Sequence, residues 1–298
     1  MKQWIVASLL GLLTLPAQAA LNVFACEPEW AALVTELGGE HVSVYAATTA
    51  QQDPHRIEAR PSLIARMRQA DMLVCTGAEL EAGWLPVLLR QSGNGRVQPG
   101  QPGHFMAAEQ VERLEIPVVV DRALGDLHME GNPHVHTDPR RLLQIAAVLA
   151  ERLTAVDGAN AAHYGARFDA FRTRWEEAME RWSAQAAALR NVRIVSHHQD
   201  WVYLNDWLGL VEVARLEPKP GIPPSAAHLA ALTTRLKAEP AVMVLRTPYQ
   251  DARPGEWLAA RAGMKVVVLP YTVGGSDRAT DLFALFDETV VRLLEAVR

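Results

Sequence analysis

The sequence has 298 residues, 49% of them hydrophobic and 21% charged, with a formal net charge of -5. So large an apolar fraction excludes a disordered chain and suits two lobes of ordinary size. The mild acidity gives no electrostatic reason to expect nucleic acid or anionic lipid as a partner.

The opening "MKQWIVASLLGLLTLPAQAA" has the form of a secretory signal. Lys2 precedes an apolar run from Trp4 to about Leu15, and Ala17-Gln18-Ala19 is a small-x-small cleavage step. The run is too short for an ordinary membrane span. Cleavage after Ala19 or Ala20 would release an exported chain starting near Leu21. Cys26 lies beyond the apolar run, inside a predicted strand, which argues for a soluble product rather than a lipoprotein.

From Leu21 short β-branched runs alternate with helical stretches. "LNVFAC", "HVSVYAA" and "DMLVCTG" read as strands. "EPEWAALVTELGG" is a helix ended by Gly38-Gly39, and "ARPSLIARMRQA" a second with Pro61 in its first turn. A third runs through "LEAGWLPVLLRQS". "DPRRLLQIAAVLAERLTAV" follows, with Asp138 as its N-cap and Pro139 at the first helical position. An almost breaker-free stretch, Ala159 to Leu189, predicts one helix on the order of 45 Å long. The alternation then restarts with "VRIVS", "VEVARL", "AVMVLR" and "KVVVLP" as strands, helices between them, and a closing helix through "ATDLFALFDETVVRLLEAV". The expected architecture is two doubly wound α/β lobes joined by one long helix. The divisions are residues 1–20 as signal peptide, 21–155 as first lobe, 156–190 as linking helix and 191–298 as second lobe.

Four polar turns sit just after, or between, these elements, where ligands gather in open α/β sheets. They are "QDPHRIEARPS" with His55, "NPHVHTDP" with His134 and His136, "VSHHQDW" with His197 and His198, and "YTVGGSDRATD" with Asp277. Imidazole and carboxylate suit a divalent first-row ion, and three His plus one Asp fill a tetrahedral zinc shell. No Cys pair stands at zinc-finger spacing. Residues two apart on an extended segment point to one side, so His136 is a possible partner of His134. Asp277, Ser276 or Thr280 also suits the N-cap of the closing helix. Glu58 and Glu217 are placed to accept imidazole N–H bonds. His41, His104, His163 and His228 have no such surroundings.

Several of these motifs, in this order, resemble the zinc- and manganese-binding solute-binding proteins of ABC importers, over essentially the whole mature chain. "DPHRIEARPSLIARMRQADMLVCTGAELEAGWLP" is similar to that family's first-His motif and its continuation. "GNPHVHTDPRR" is similar to the second, and "VSHHQDWVYLNDWLGL" with "EPKPGIPPSAAHLAALTTRLKAEPAVMVL" to the third. The resemblance implies a metal site in the interlobe cleft, with His55, His134 and His198 as ligands and an acidic residue after the last strand as the fourth. Trp201, three residues on, selects His198 over His197. Asp277 is the nearest acid, later than usual. His136 replaces the family's large aromatic. In place of a long His-rich loop there is only "DRALGDLHMEG" with the single His128, so loop capture of metal is not expected.

The implied function is a periplasmic zinc receptor, a monomer with no chemistry of its own, delivering the ion to a membrane permease. Three imidazoles lean to Zn2+, because Mn2+ prefers more oxygen donors. The alternatives are a manganese receptor of the same family and a secreted zinc hydrolase, though no HExxH stretch supports the latter. Cys26 and Cys75 end the first and third strands. With strand order 2-1-3 those strands are parallel neighbours about 4.8 Å apart, close enough for a disulfide in an oxidising compartment. Thiols on opposite sheet faces are the alternative.

Overall fold

A computed structural model describes residues 20–117 and 128–298; the predicted signal segment before Ala20 lies outside them. Two four-stranded parallel sheets form the frame. The first has order β2-β1-β3-β4, from β1 (Leu21–Ala25), β2 (Val42–Ala46), β3 (Met72–Cys75) and β4 (His104–Met106). The second has order β6-β5-β7-β8, from β5 (Arg193–Ser196), β6 (Val211–Arg215), β7 (Met243–Arg246) and β8 (Lys265–Val268). In each, the chain runs outward from a central strand, reverses and runs out the other way. The switch points of both sheets therefore lie at strand C-termini, where a ligand is expected.

The helices follow from local sequence. In α1 (Pro28–Gly38) proline at the N-terminus needs no N–H partner, and Trp30, Leu33, Val34 and Leu37 make one buried face. Gly39, at φ 55°, ends it with its N–H on the Thr35 carbonyl. The first lobe continues with α2 (Pro61–Gln69) and α3 (Leu85–Ser92). As expected, Asp138 caps α4 (Pro139–Val156), its side chain accepting from the Arg140 N–H. The second lobe carries α6 (Val202–Leu208), α7 (Ala226–Ala238), α8 (Ala252–Ala262) and α9 (Leu282–Val297).

The long helix, α5, spans Ala161–Gln185, and Ala186–Leu189 follow as a tighter 3-10 turn. At 1.5 Å per residue it is about 37 Å long, shorter than the uninterrupted stretch suggests. It is no bare strut. Tyr164, Phe171, Trp175, Ala178 and Trp182 are buried along one side. Arg167 donates to the Glu36 carbonyl of α1, while Trp182 Nε1 reaches Asp287 of α9 at 2.6 Å. Trp175 packs on Phe283 and Phe286, so one apolar core runs without a break through both lobes.

Strand β4 was not legible in the sequence. It has three residues, paired with β3 only, too short to show a pattern of its own. The predicted neighbours β1 and β3 do pair, with Ala25 beside Val74. Cys26 and Cys75 follow in register, are joined by a disulfide, and have Cα atoms 4.8 Å apart. Among the described residues no helix is long and apolar enough to cross a membrane.

Candidate metal centre

Three of the four expected ligands meet in the cleft between the sheets. His55 stands in the turn after β2, His134 just before α4, and His198 just after β5. Their ring centroids form a nearly equilateral triangle of 5.5, 5.6 and 5.6 Å. One nitrogen from each lies within 4.8 Å of those of the other two. A cavity of about 180 Å³, lined by residues including Asp53, Arg56, Glu217 and Tyr249, opens beside His55 and His198.

Each imidazole is held from behind through Nδ1. His55 Nδ1 meets Asp53 Oδ1 at 2.8 Å, and the same oxygen accepts the His55 main-chain N–H. Trp84 Nε1 donates to the Pro54 carbonyl and pins that turn to the first lobe. His198 Nδ1 meets Glu217 Oε2 at 2.6 Å, an oxygen that also accepts the Gly221 N–H. His134 Nδ1 meets Tyr271 Oη at 2.6 Å. The remaining nitrogens face one another. Nε2 of His134 and of His198 are buried with no hydrogen-bond partner, and Nε2 of His55 faces only Nε2 of His128, at 3.2 Å.

The electrostatics match a site for a cation. Burial, with His55, His198, His128 and His136 close by, holds His134 well below the usual imidazole range. Burial, then His55 and His198, pushes His128 down to about 3. At His198 burial acts downward too, but Asp200, Glu217 and Asp53 outweigh it and its pKa is raised. Burial works against ionisation of Asp53 and Glu217, yet their imidazole partners hold both below the usual carboxylate range.

The expectation for Asp277 is not met. It is exposed, lining a groove with Lys265, Glu288 and Arg292 against β8 and α9, and is not grouped with the three histidines. Nor does it cap α9, whose N-cap is Asp281, accepting from the Ala284 N–H at 2.9 Å. The chain leaves β8 through Pro270, Tyr271 and Thr272. Tyr271 stands behind His134, and Thr272 donates to Glu29 of the first lobe at 2.5 Å. The position expected to supply an acid supplies a phenol.

His136 is also turned away. A 3-10 turn over Val135–Thr137 replaces the extended segment on which His134 and His136 would share a side. His136 Nε2 donates to the Tyr271 carbonyl, and its Nδ1 stands 3.4 Å from Glu29 Oε1. His197 is buried outside the cluster, its main-chain N–H bonded to Leu245. Of the two glutamates expected to hold imidazoles, Glu217 does so and Glu58 is exposed. Asp53 and Tyr271 do the same work with no signal beyond their nearness to the motif turns.

Two parallel α/β lobes thus enclose a deep cluster of imidazoles in the cleft between their sheets, where open α/β folds place a ligand. Residues 23–296 match the ZnuA family, described as zinc-uptake complex component A, periplasmic, and the chain belongs to that family. It is similar to the zinc-binding lipoprotein AdcA of Streptococcus pneumoniae serotype 4, 24% identical over 242 residues that cover 78% of this chain and 46% of that protein. It is 22% identical to the high-affinity zinc uptake system protein ZnuA of Yersinia pestis, over 72% of this chain and 70% of that protein. The chain thus spans about half the length of the AdcA relatives it matches. In fold it resembles a crystal structure of ZnuA, with TM-score 0.75 and 23% identity over 92% of this chain and 99% of that one. It likewise resembles a manganese-bound periplasmic metal-binding protein from Candidatus Liberibacter asiaticus, with TM-score 0.75 and 13% identity over 93% of this chain and 100% of that one.

Proposed function

We propose that this chain is a periplasmic zinc receptor that captures the ion at His55, His134 and His198 and passes it to the permease of an ABC importer. The observation that carries the reading is the convergence of three Nε2 atoms whose rings are each fixed through Nδ1. An Nδ1–H donated to an acceptor leaves the Nε2 lone pair bare and aimed at the centre, as zinc requires. The nitrogen donors and the family's zinc relatives favour zinc over manganese. Export through the signal at residues 1–20, lobes at 21–155 and 191–298, and residues 156–190 as the link belong to the same reading.

The receptor carries out no reaction. It strips water from the ion, substitutes imidazole, and presents two lobe faces to its partner. A secreted hydrolase would need a free general base beside an open coordination position. The nearest carboxylates, Asp53 and Glu217, are instead committed to His55 and His198.

The test is competitive titration against a chromophoric zinc chelator. His55→Ala, His134→Ala and His198→Ala should each lower zinc affinity by about tenfold or more, with His41→Ala unchanged. Wild-type affinity in His198→Ala, with loss in His197→Ala, would show the wrong neighbour was chosen. Full retention in all three would refute the site.

A further inference from the structure

We propose that His128 is the fourth ligand and closes an all-imidazole shell with His55, His134 and His198; this rests on the zinc reading above. Asp277 is exposed, Asp53 and Glu217 sit behind the rings they hold, and no carboxylate is grouped with the three imidazoles among the described residues. A tetrahedral ion held by these three would lack its fourth protein donor.

His128 is placed to supply it. Its Nε2 stands 3.2 Å from Nε2 of His55. Two nitrogens bound at 2.0–2.1 Å to one tetrahedral zinc are about 3.3 Å apart, so this pair already has the length of one tetrahedron edge. Since His55 donates through Nδ1 to Asp53, its Nε2 offers a lone pair toward His128. An ion between the two nitrogens turns that contact into coordination. His128 is also closer by centroid to His55 (5.3 Å) than to His134 (6.4 Å) and lies outside the 4.8 Å group formed by the other three, so the shell closes by drawing its ring inward by about 1.5 Å or more.

The first lobe is built to hold it there. His128 is 6% exposed, and its ring hydrogen-bonds the main chain at Ala78. The next residue, Met129, donates its main-chain N–H to the Glu79 carboxylate. Gly77, Ala78 and Glu79 all lie at positive φ, at 77°, 47° and 66°. Two non-glycine residues in that region cost strain, which persists where surrounding contacts over-determine it and gathers at ligand-binding sites. The strained turn after β3 thus grips both His128 and its neighbour. A shell of four neutral donors leaves the ion's charge to be balanced by Asp53 and Glu217 from behind, and its all-nitrogen character disfavours manganese.

The experiment is zinc X-ray absorption, counting imidazoles around the ion in the full mature chain loaded with one equivalent of zinc, alongside His128→Ala loaded likewise. Four imidazoles in the wild type and three in His128→Ala, with zinc affinity lowered about tenfold or more, is the expected result. Three imidazoles in the wild type, or unchanged count and affinity in the variant, overturns the assignment while leaving the receptor reading intact. The wild-type count alone decides the matter even if the variant folds poorly. A wild-type chain that binds no zinc, or His55→Ala with full affinity, overturns the receptor reading and this inference with it.

Discussion

Tyr271→Phe isolates how far zinc affinity depends on holding an imidazole from behind. The Tyr271 ring is 3% exposed and packs edge-on against His136, Trp201 and Tyr249. Phenylalanine keeps those contacts and removes only Oη, which stands 2.6 Å from His134 Nδ1. Zinc on Nε2 forces the proton onto Nδ1, and the variant leaves that buried N–H without an acceptor, at a cost of about 1–3 kcal/mol. The metal-free protein escapes most of the cost by moving the proton to Nε2, which faces the cluster. The difference falls on the loaded form and should weaken zinc binding by roughly 5- to 150-fold. Chelator competition measures the affinity, and thermal melts of the metal-free chains check that the fold is unchanged. Affinity within about twofold of wild type would refute the argument that the phenol positions His134. An equal loss of stability in the metal-free protein would assign Tyr271 a packing role instead.

Asp277→Ala should leave zinc affinity within about twofold of wild type by the same titration, because the carboxylate is exposed in a groove away from the histidines. Thiol counting on denatured, unreduced protein should find none free, since Cys26 and Cys75 are bonded. Replacing both by serine opens a loop with a sequence separation of 49 and should cost about 4 kcal/mol by the chain-entropy relation, read from denaturant melts. Burial pushes Glu81 up to about 7, against hydrogen bonds from the Thr76 and Gly77 N–H groups that pull it down. Its folded pKa is thus above the unfolded one, so its contribution is full below about pH 4.5 and is lost as pH rises through about 7. Glu81→Gln, which cannot ionise, should therefore gain on the wild type by a few kcal/mol between pH 5 and pH 8 in parallel melts. A pH-independent gap between the two would count against a buried, proton-holding Glu81.

The period of the apolar pattern determined the fold, because a parallel sheet with helices between its strands needs that alternation and little else. Proline at helix starts, Asp138 as a cap and Gly39 as a stop are local chemistry, readable wherever they stand in the chain. The two cysteines were legible for the same reason, since strand order alone put them side by side. His55, His134 and His198 were marked by motifs at strand ends. Of their company only Glu217, which stands on His198 as expected, was marked. Whether His136 shares a side with His134 depended on a single 3-10 turn, which the alternating text "PHVHTDP" does not announce. Asp277 failed because distance along the chain after β8 says nothing of direction in space, and the turn there sends Tyr271 inward and Asp277 out. His128 and Glu217 are 73 and 19 residues from the histidines they meet, and Tyr271 is 137 from His134. The first two contacts form within one lobe and only Tyr271–His134 joins the two, yet in each case a residue's neighbours are fixed by packing rather than by anything in its own stretch of sequence.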